Sequence, residues 1–194
     1  GVGWQPYPVS LRIVNWVKWL LAGNEPVPGM LDSLFQQAHM LSQQLEYHLQ
    51  GNHLLANAKA LLFAGSCFEG ELAELWLTKG LELLSQQHRE QILADGAHFE
   101  LSPMYHAIIL MDVLDIIQLG ECYPSGTVNE KLSTLRSTAA AMVYWHEGML
   151  HPDGSIAFFN DAAFGIAPRA ADILAYVNKL GVSRQLVHGA VNHY

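Results

Sequence analysis

Asp95-Gly-Ala-His-Phe-Glu-Leu-Ser-Pro-Met-Tyr-His-Ala-Ile-Ile-Leu-Met-Asp-Val-Leu-Asp-Ile-Ile-Gln-Leu119 is the stretch on which the reading of this chain turns. Ser102-Pro103 reads as a helix N-cap followed by proline at the first helical position. The run from Ala107 to Leu119 is apolar on most sides, so this helix is expected to be enclosed by others. Asp112 and Asp115 interrupt it, which argues against a membrane span. Asp112 itself reads as an exposed or capping residue. Just before and within the first turn stand His98, Glu100, Tyr105 and His106, gathered at the positive end of a helix dipole. A helix that only packs has no need of such a group at its start.

Working outward, nearly every segment shows a helical period. Helices are expected over Pro8–Leu21, the stripe Leu31, Leu34, Phe35, Ala38, Leu41, Leu45 and Leu49, Asn52–Phe68, Glu71–Leu93, Ser102–Leu119, Thr127–Met149 and a last one from Pro168 to near Gly181. In the fourth, Leu72, Leu75, Trp76, Leu83 and Leu84 read as inward, and Gln86, Gln87 and Glu90 as outward. Pro152-Asp153-Gly154 is a turn signal, and Ser155–Phe159 reads as a short strand. The second and fourth helices have polar outer faces, whereas the third and fifth are richer in apolar residues. That alternation predicts an all-α fold in which inner and outer helices form a layered α/α array or toroid. A plain bundle is the simpler alternative, but about seven helices exceed one four-helix core.

With 194 residues, 51% apolar and 14% charged, the chain is expected to fold as one domain, 1–194. A net charge of −8 argues against non-specific nucleic-acid binding and makes any polyanionic ligand depend on a local pocket. The two cysteines, Cys67 and Cys122, fit no metal spacing, and Cys67 reads as a buried thiol. The ten histidines show no HxxxH or HExxH spacing, so no metal site is expected. The chain shows no signal peptide and does not begin with Met; it reads as a mature form or a piece of a longer protein.

Short connections imply antiparallel neighbours, so the first, third, fifth and seventh helices should point the same way. Their N-termini then share a rim carrying Trp4, Tyr7 and Arg12; Asn52 and His53; His98, Glu100, Tyr105 and His106; and the loop with His151, Asn160 and Asp161. Each has a plain reading. Asn52 after Gly51 suits a simple N-cap, or an amide pointing into a cleft. Tyr105 suits packing under its loop, or proton transfer if His53, His98 or His106 assists its hydroxyl. Arg12 suits a surface ion pair or an anion contact. Trp4 and Tyr7 suit the core edge or sugar stacking. Asp161 suits a turn, and Glu100, Asp112 and Asp161 are the candidates for a carboxylate pair for glycoside hydrolysis.

Four segments together resemble the heparinase II/III family of polysaccharide lyases. They are Trp4-Gln-Pro-Tyr-Pro-Val-Ser-Leu-Arg-Ile-Val-Asn-Trp16, Glu46-Tyr-His-Leu-Gln-Gly-Asn-His-Leu54, Asp95 to His106, and His151-Pro-Asp-Gly154 through Asn160-Asp161. The resemblance implies an incomplete α/α toroid of antiparallel helical hairpins, followed in the family by β-sandwich domains that this chain lacks. It implies β-elimination at a uronic acid of an acidic polysaccharide such as heparan sulfate, alginate or a bacterial capsule. Tyr105 takes the place of the proton-transfer tyrosine and Asn52 that of the residue neutralising the substrate carboxylate, with His53 the neighbouring candidate. Substrate contacts then fall to His53, Arg12, Trp4, Tyr7, His98, Glu100, His106, Asn160 and Asp161. No cofactor is expected in this segment; the family's metal belongs to the β-sandwich, which is expected C-terminal in the full-length protein. A bacterial, periplasmic or secreted location follows from the resemblance, with the cytoplasm still open, and neither a nucleic-acid nor a membrane partner is expected. Two competing readings are a non-catalytic carbohydrate-binding or scaffold domain, and an inverting glycoside hydrolase using Glu100 and Asp161.

Overall fold

A computed structural model describes residues 2–49, 51–123 and 126–183. After a short 3-10 turn, Val2–Trp4, it is built of seven α-helices: α1 Pro6–Leu21, α2 Met30–Gln43, α3 His53–Cys67, α4 Glu71–Gln91, α5 Pro103–Cys122, α6 Gly126–Gly148 and α7 Ala170–Lys179. Among the described residues there is no strand. The expected strand at Ser155–Phe159 is reduced to one isolated bridge between Leu150 and Ile156, and a second bridge joins Ile92 to His98. The segment is too short, and too closely followed by turns, to build a ladder. The chain packs as two compact units, one up to His88 and one from Arg89 onward.

In the first unit α1, α2 and α3 pack on one another. Helix α3 is the interior member, buried continuously from Leu54 to Gly65. It runs parallel to α1: Asn52 and His53 at its start meet Tyr7 at the start of α1, and one turn on Asn57 meets Ser10. The expected alternation of direction therefore holds within this unit. The α2 stripe ends sooner than its periodicity suggests. The helix stops at Gln43, and both Leu31 and Leu49 are exposed.

On α4, Ala73 and Trp76 turn inward with Leu83 and Leu84, while Leu75 is 61% exposed and Leu72 is also exposed. Gln87, expected outside, is buried. The inward face of α4 is thus rotated from the one drawn by leucines alone, because two glycines set the contact. A Cβ on Gly65 would lie 2.6 Å from Leu77 Cγ and 2.7 Å from the Ala73 carbonyl oxygen. A Cβ on Gly80 would lie 2.9 Å from Leu62 Cγ. Helices α3 and α4 therefore approach more closely than side chains would permit. Cys67, at the end of α3, is half-buried, and burial pushes its thiol pKa up.

In the second unit α5 is the interior helix and packs against α6 and α7. It is long and apolar enough to cross a membrane, but most of it is buried within the protein, which accounts for its composition. Helix α7 runs parallel to α5. Asn160, before α7, reaches Leu101, before α5, while Tyr176 farther along α7 donates to Asp115 and contacts Gln118 farther along α5.

Replacing Gly65 by alanine should lower stability by about 1–3 kcal/mol through overpacking against α4. Gly148→Ala, where an added Cβ meets nothing within 4 Å, should leave it nearly unchanged. Urea unfolding of the two variants measures the difference.

Candidate functional site

Two helix N-termini carry the expected residues, and the backbone treats them oppositely. Ser102 has extended dihedrals, φ −97° and ψ 120°, and its Oγ accepts from the Tyr105 N–H at 3.4 Å. That is an ordinary N-cap. Asn52 occupies the corresponding position on α3, but its φ of −76° and ψ of −6° are helical, and its side chain makes no cap. A helical N-cap residue points its side chain away from the N–H groups it would otherwise satisfy. The Asn52 amide instead donates to the Tyr7 hydroxyl at 3.3 Å. Of its two sequence readings, the plain cap is not the one adopted.

Around Asn52 the first unit assembles a polar cluster. The Tyr7 ring lies 4.5 Å from the His53 ring, tilted by 31°. His53 Nδ1 lies 3.3 Å from Glu46 Oε1. Asn57, fully buried, donates to Ser10 Oγ at 3.0 Å and to Glu46 Oε2 at 3.1 Å, and its own oxygen accepts the Glu46 backbone N–H at 3.0 Å. Glu46, Asn57 and Ser10 were not among the expected site residues. The signal was available: an Asn between alanines on a largely apolar helix has to find buried partners.

Arg12 lies a turn and a half into α1. It donates to Gln37 Oε1 and to the Gly3 carbonyl, and its guanidinium stands 5.7 Å from the centre of the half-exposed Trp4 ring. Among the described residues these partners are all neutral, so the ion-pair reading is not the one adopted there. The charge is positioned by an amide, a carbonyl and an aromatic face without being cancelled.

In the second unit, the loop before α5 is tightly wound. Gly96 has φ +90°, and a Cβ there would lie 2.4 Å from the Ala141 carbonyl carbon of α6. Asp95 Oδ1 accepts the Ala97 N–H at 3.0 Å. Leu101 has φ 52°, in the left-handed region that side chains other than glycine disfavour. Asn160 and Asp161 are also left-handed, at 47° and 61°, and Asn160 Nδ2 donates to the Leu101 carbonyl at 3.2 Å. Glu100 is held above the usual carboxylate range by burial, and secondarily by the like charge of Asp161. These two carboxyl groups are thus electrostatic neighbours.

His98 and His106, expected as substrate contacts, are fully buried. His106 Nδ1 accepts the His98 backbone N–H at 3.2 Å, and its Nε2 faces the Met142 carbonyl at 2.9 Å. A carbonyl only accepts, so the proton sits on Nε2 and both nitrogens are committed. His98 Nε2 pairs with Gln91 Oε1 at 3.1 Å. Neither ring bonds the Tyr105 hydroxyl. Both histidines are corrected from ligand contacts to supports of the loop that leads into α5. Tyr105 itself is half-buried, and its hydroxyl makes no hydrogen bond among the described residues. Sequence reasoning also passed over the exposed stack of Phe158 on Phe164, centroids 5.0 Å apart. Among the described residues, no three His, Cys, Asp or Glu side chains gather to hold a metal ion.

Residues 23–178 match the model of the heparinase II/III N-terminus. This chain belongs to the heparinase II/III family. It is 27% identical over 165 residues to a heparin-sulfate lyase of Bacteroides stercoris, covering 82% of this chain and 24% of the relative. It is 36% identical over 109 residues to a heparin-sulfate lyase of Pedobacter heparinus, covering 53% and 16%. The crystal structure of heparinase III superposes with a TM-score of 0.71 at 25% identity, covering 94% of this chain and 30% of that one. The heparan sulfate lyase HepC of Pedobacter heparinus gives 0.60 at 29% identity, covering 79% and 25%. The chain thus spans a quarter or less of the length of these two curated lyases, and the matched structures are likewise helical where they overlap it.

Burial holds His98 and His146 down from 6.5 to about 4. It holds His106 down to about 3, with His146 and His98 adding to the effect and the Met142 carbonyl opposing it. Each folded value lies below the unfolded one, so the unfolded chain binds more protons between about pH 6.5 and 4. The stability these neutral rings confer is complete above pH 6.5 and drains away as pH falls through that window. His146, fully buried with neither nitrogen hydrogen-bonded, tests this directly. His146→Leu should flatten the decline in urea midpoint between pH 7 and 4.5 by up to about one proton's worth of slope.

Proposed function

We propose that this chain is the helical part of a lyase that cleaves a uronate-containing acidic polysaccharide by β-elimination. In this reading its seven helices form part of an incomplete α/α toroid, and a β-rich domain completes the enzyme. Family membership supports the reaction class, and the conduct of Asn52 is the observation that carries the reading. An asparagine at a helix start that forgoes capping keeps its amide for something else, at the end of the helix where an anion is favoured.

The chemistry asks for few groups. Loss of the C5 proton places charge on the uronate carboxyl, and an amide or imidazole donating to that carboxyl stabilises the enediolate that develops. Asn52 is assigned that work, with His53 beside it. Tyr105 is assigned proton transfer, and its uncommitted hydroxyl supports the assignment. Arg12, whose partners among the described residues are neutral, offers positive charge to a polyanion, and Trp4 and Tyr7 offer aromatic faces. Asn160 holds the backbone beside the α5 start, and Asp161 places a carboxylate near Glu100.

The proximity of Glu100 to Asp161 is the observation that favours the hydrolase alternative, and the products separate the two. Elimination leaves a carbon–carbon double bond that absorbs ultraviolet light, whereas hydrolysis leaves none. Heparan sulfate and alginate are the substrates to try first, using the native-length enzyme. Tyr105→Phe should reduce appearance of the unsaturated product by about 10²–10⁴-fold, and Asn52→Ala by about 10²–10³-fold. Undiminished product from Tyr105→Phe would remove the tyrosine from the mechanism. Saturated products from the wild type would replace elimination by hydrolysis.

A further inference from the structure

The carboxylate of Glu46 is the least expected group in the first unit, because it is buried in a loop and faces an interior helix. A buried acid is costly unless every oxygen is partnered, and removing one partner leaves the other exposed to that cost. Here each partner is dictated by the one before it. The Glu46 backbone N–H is a donor only, so the Asn57 atom that meets it at 3.0 Å is the amide oxygen. The Asn57 nitrogen must then face acceptors, and it finds Ser10 Oγ at 3.0 Å and Glu46 Oε2 at 3.1 Å. Asn57 has no freedom to flip. Glu46 Oε1 is left to meet His53 Nδ1 at 3.3 Å. An acceptor there calls for the proton on Nδ1.

We infer that Glu46 is a positioning residue that acts through His53. It fixes the proton on Nδ1 and turns Nε2 toward the ligand. Tyr7 completes the arrangement by lying against the ring at 4.5 Å, so the imidazole is held by an edge contact and a face contact together. Held in this way, a protonated ring would carry its second proton at Nε2 and present it to an anion beside the Asn52 amide. The carboxylate behind the ring compensates the charge of the imidazolium. Asn57, itself bonded to Ser10, in turn holds Glu46, which explains why an interior helix tolerates an asparagine. The identity of that anion as a uronate carboxylate rests on the functional reading above. The tautomer does not.

Long-range 15N–1H spectra of histidine-labelled protein, in alkaline buffer where the imidazoles are neutral, read the tautomer directly. The His53 resonances are assigned by their loss in His53→Gln. The Nδ1–H form is expected, against the Nε2–H form that free neutral histidine prefers; finding Nε2–H in the wild type overturns the inference, and this holds whether or not Glu46→Gln folds. In Glu46→Gln the amide cannot accept from both His53 and Asn57, so His53 should move toward Nε2–H. Its kcat/KM should fall at least tenfold in the wild-type background and less than twofold when His53 is already Gln, because residues acting as one unit are not additive. Losses that multiply instead would show that Glu46 acts independently of His53. A wild-type enzyme with His53 as Nδ1–H but no unsaturated product would sink the lyase reading while upholding the tautomer, so the two can fail separately.

Discussion

Two helices, α3 and α5, are enclosed on almost every side, and that enclosure governs where this protein can keep polar groups. A surface helix solvates its polar face. An interior helix has none, so a polar side chain along it must be fully partnered within the protein. The mid-helix exceptions obey this rule. Asn57 is bonded to Ser10 and Glu46, and Asp115 accepts from Tyr176. Lys59, almost fully buried, sets its ammonium 5.8 Å from the centre of the Phe63 ring. The first turns, which are less enclosed, are where Asn52, His53 and Tyr105 stand, each only half-buried.

The two first turns are built from similar residues by different backbone choices. Ser102 follows a left-handed Leu101, adopts extended dihedrals and spends its side chain on its own helix. Asn52 follows a left-handed Gly51, adopts helical dihedrals and spends its side chain on α1. A rotation of ψ by roughly a third of a turn therefore separates a structural cap from an amide turned outward. Where the cap is made, the side chain serves its own helix; where it is forgone, the asparagine joins α3 to α1 instead.

Much of this was legible in the sequence. Helical periodicity located all seven helices, and Ser102-Pro103 marked the start of α5 to the residue. The near-uniform apolarity of α3 and α5 identified the interior members, and short connections predicted the shared direction of α1 with α3 and of α5 with α7. The failures have a common origin. Leu75 points outward and Gln87 inward because Gly65 and Gly80 decide how α4 seats on α3, and a periodicity argument assigns no weight to missing side chains. His98 and His106 were read as ligand contacts because their chemistry suits that work. Their actual partners, Gln91 for His98 and both Met142 and the His98 backbone for His106, emerge only when a loop folds back and meets a helix 36 residues on from His106. Glu46 went unnoticed because it lies seven residues before His53, a separation that a folded loop closes and a linear motif does not display.

His106 accepts a backbone N–H at one corner of its ring and donates to a backbone carbonyl at another, as a peptide group does within a sheet. The side chain thus does the work of a strand edge where, among the described residues, there is no strand, and few other residues present a donor and an acceptor so placed on one rigid plane. A residue offering only one of the two would leave a buried backbone group unpaired, at a cost carried by the loop that leads into α5. The entry to that helix is thus built with the imidazole as part of its backbone wiring.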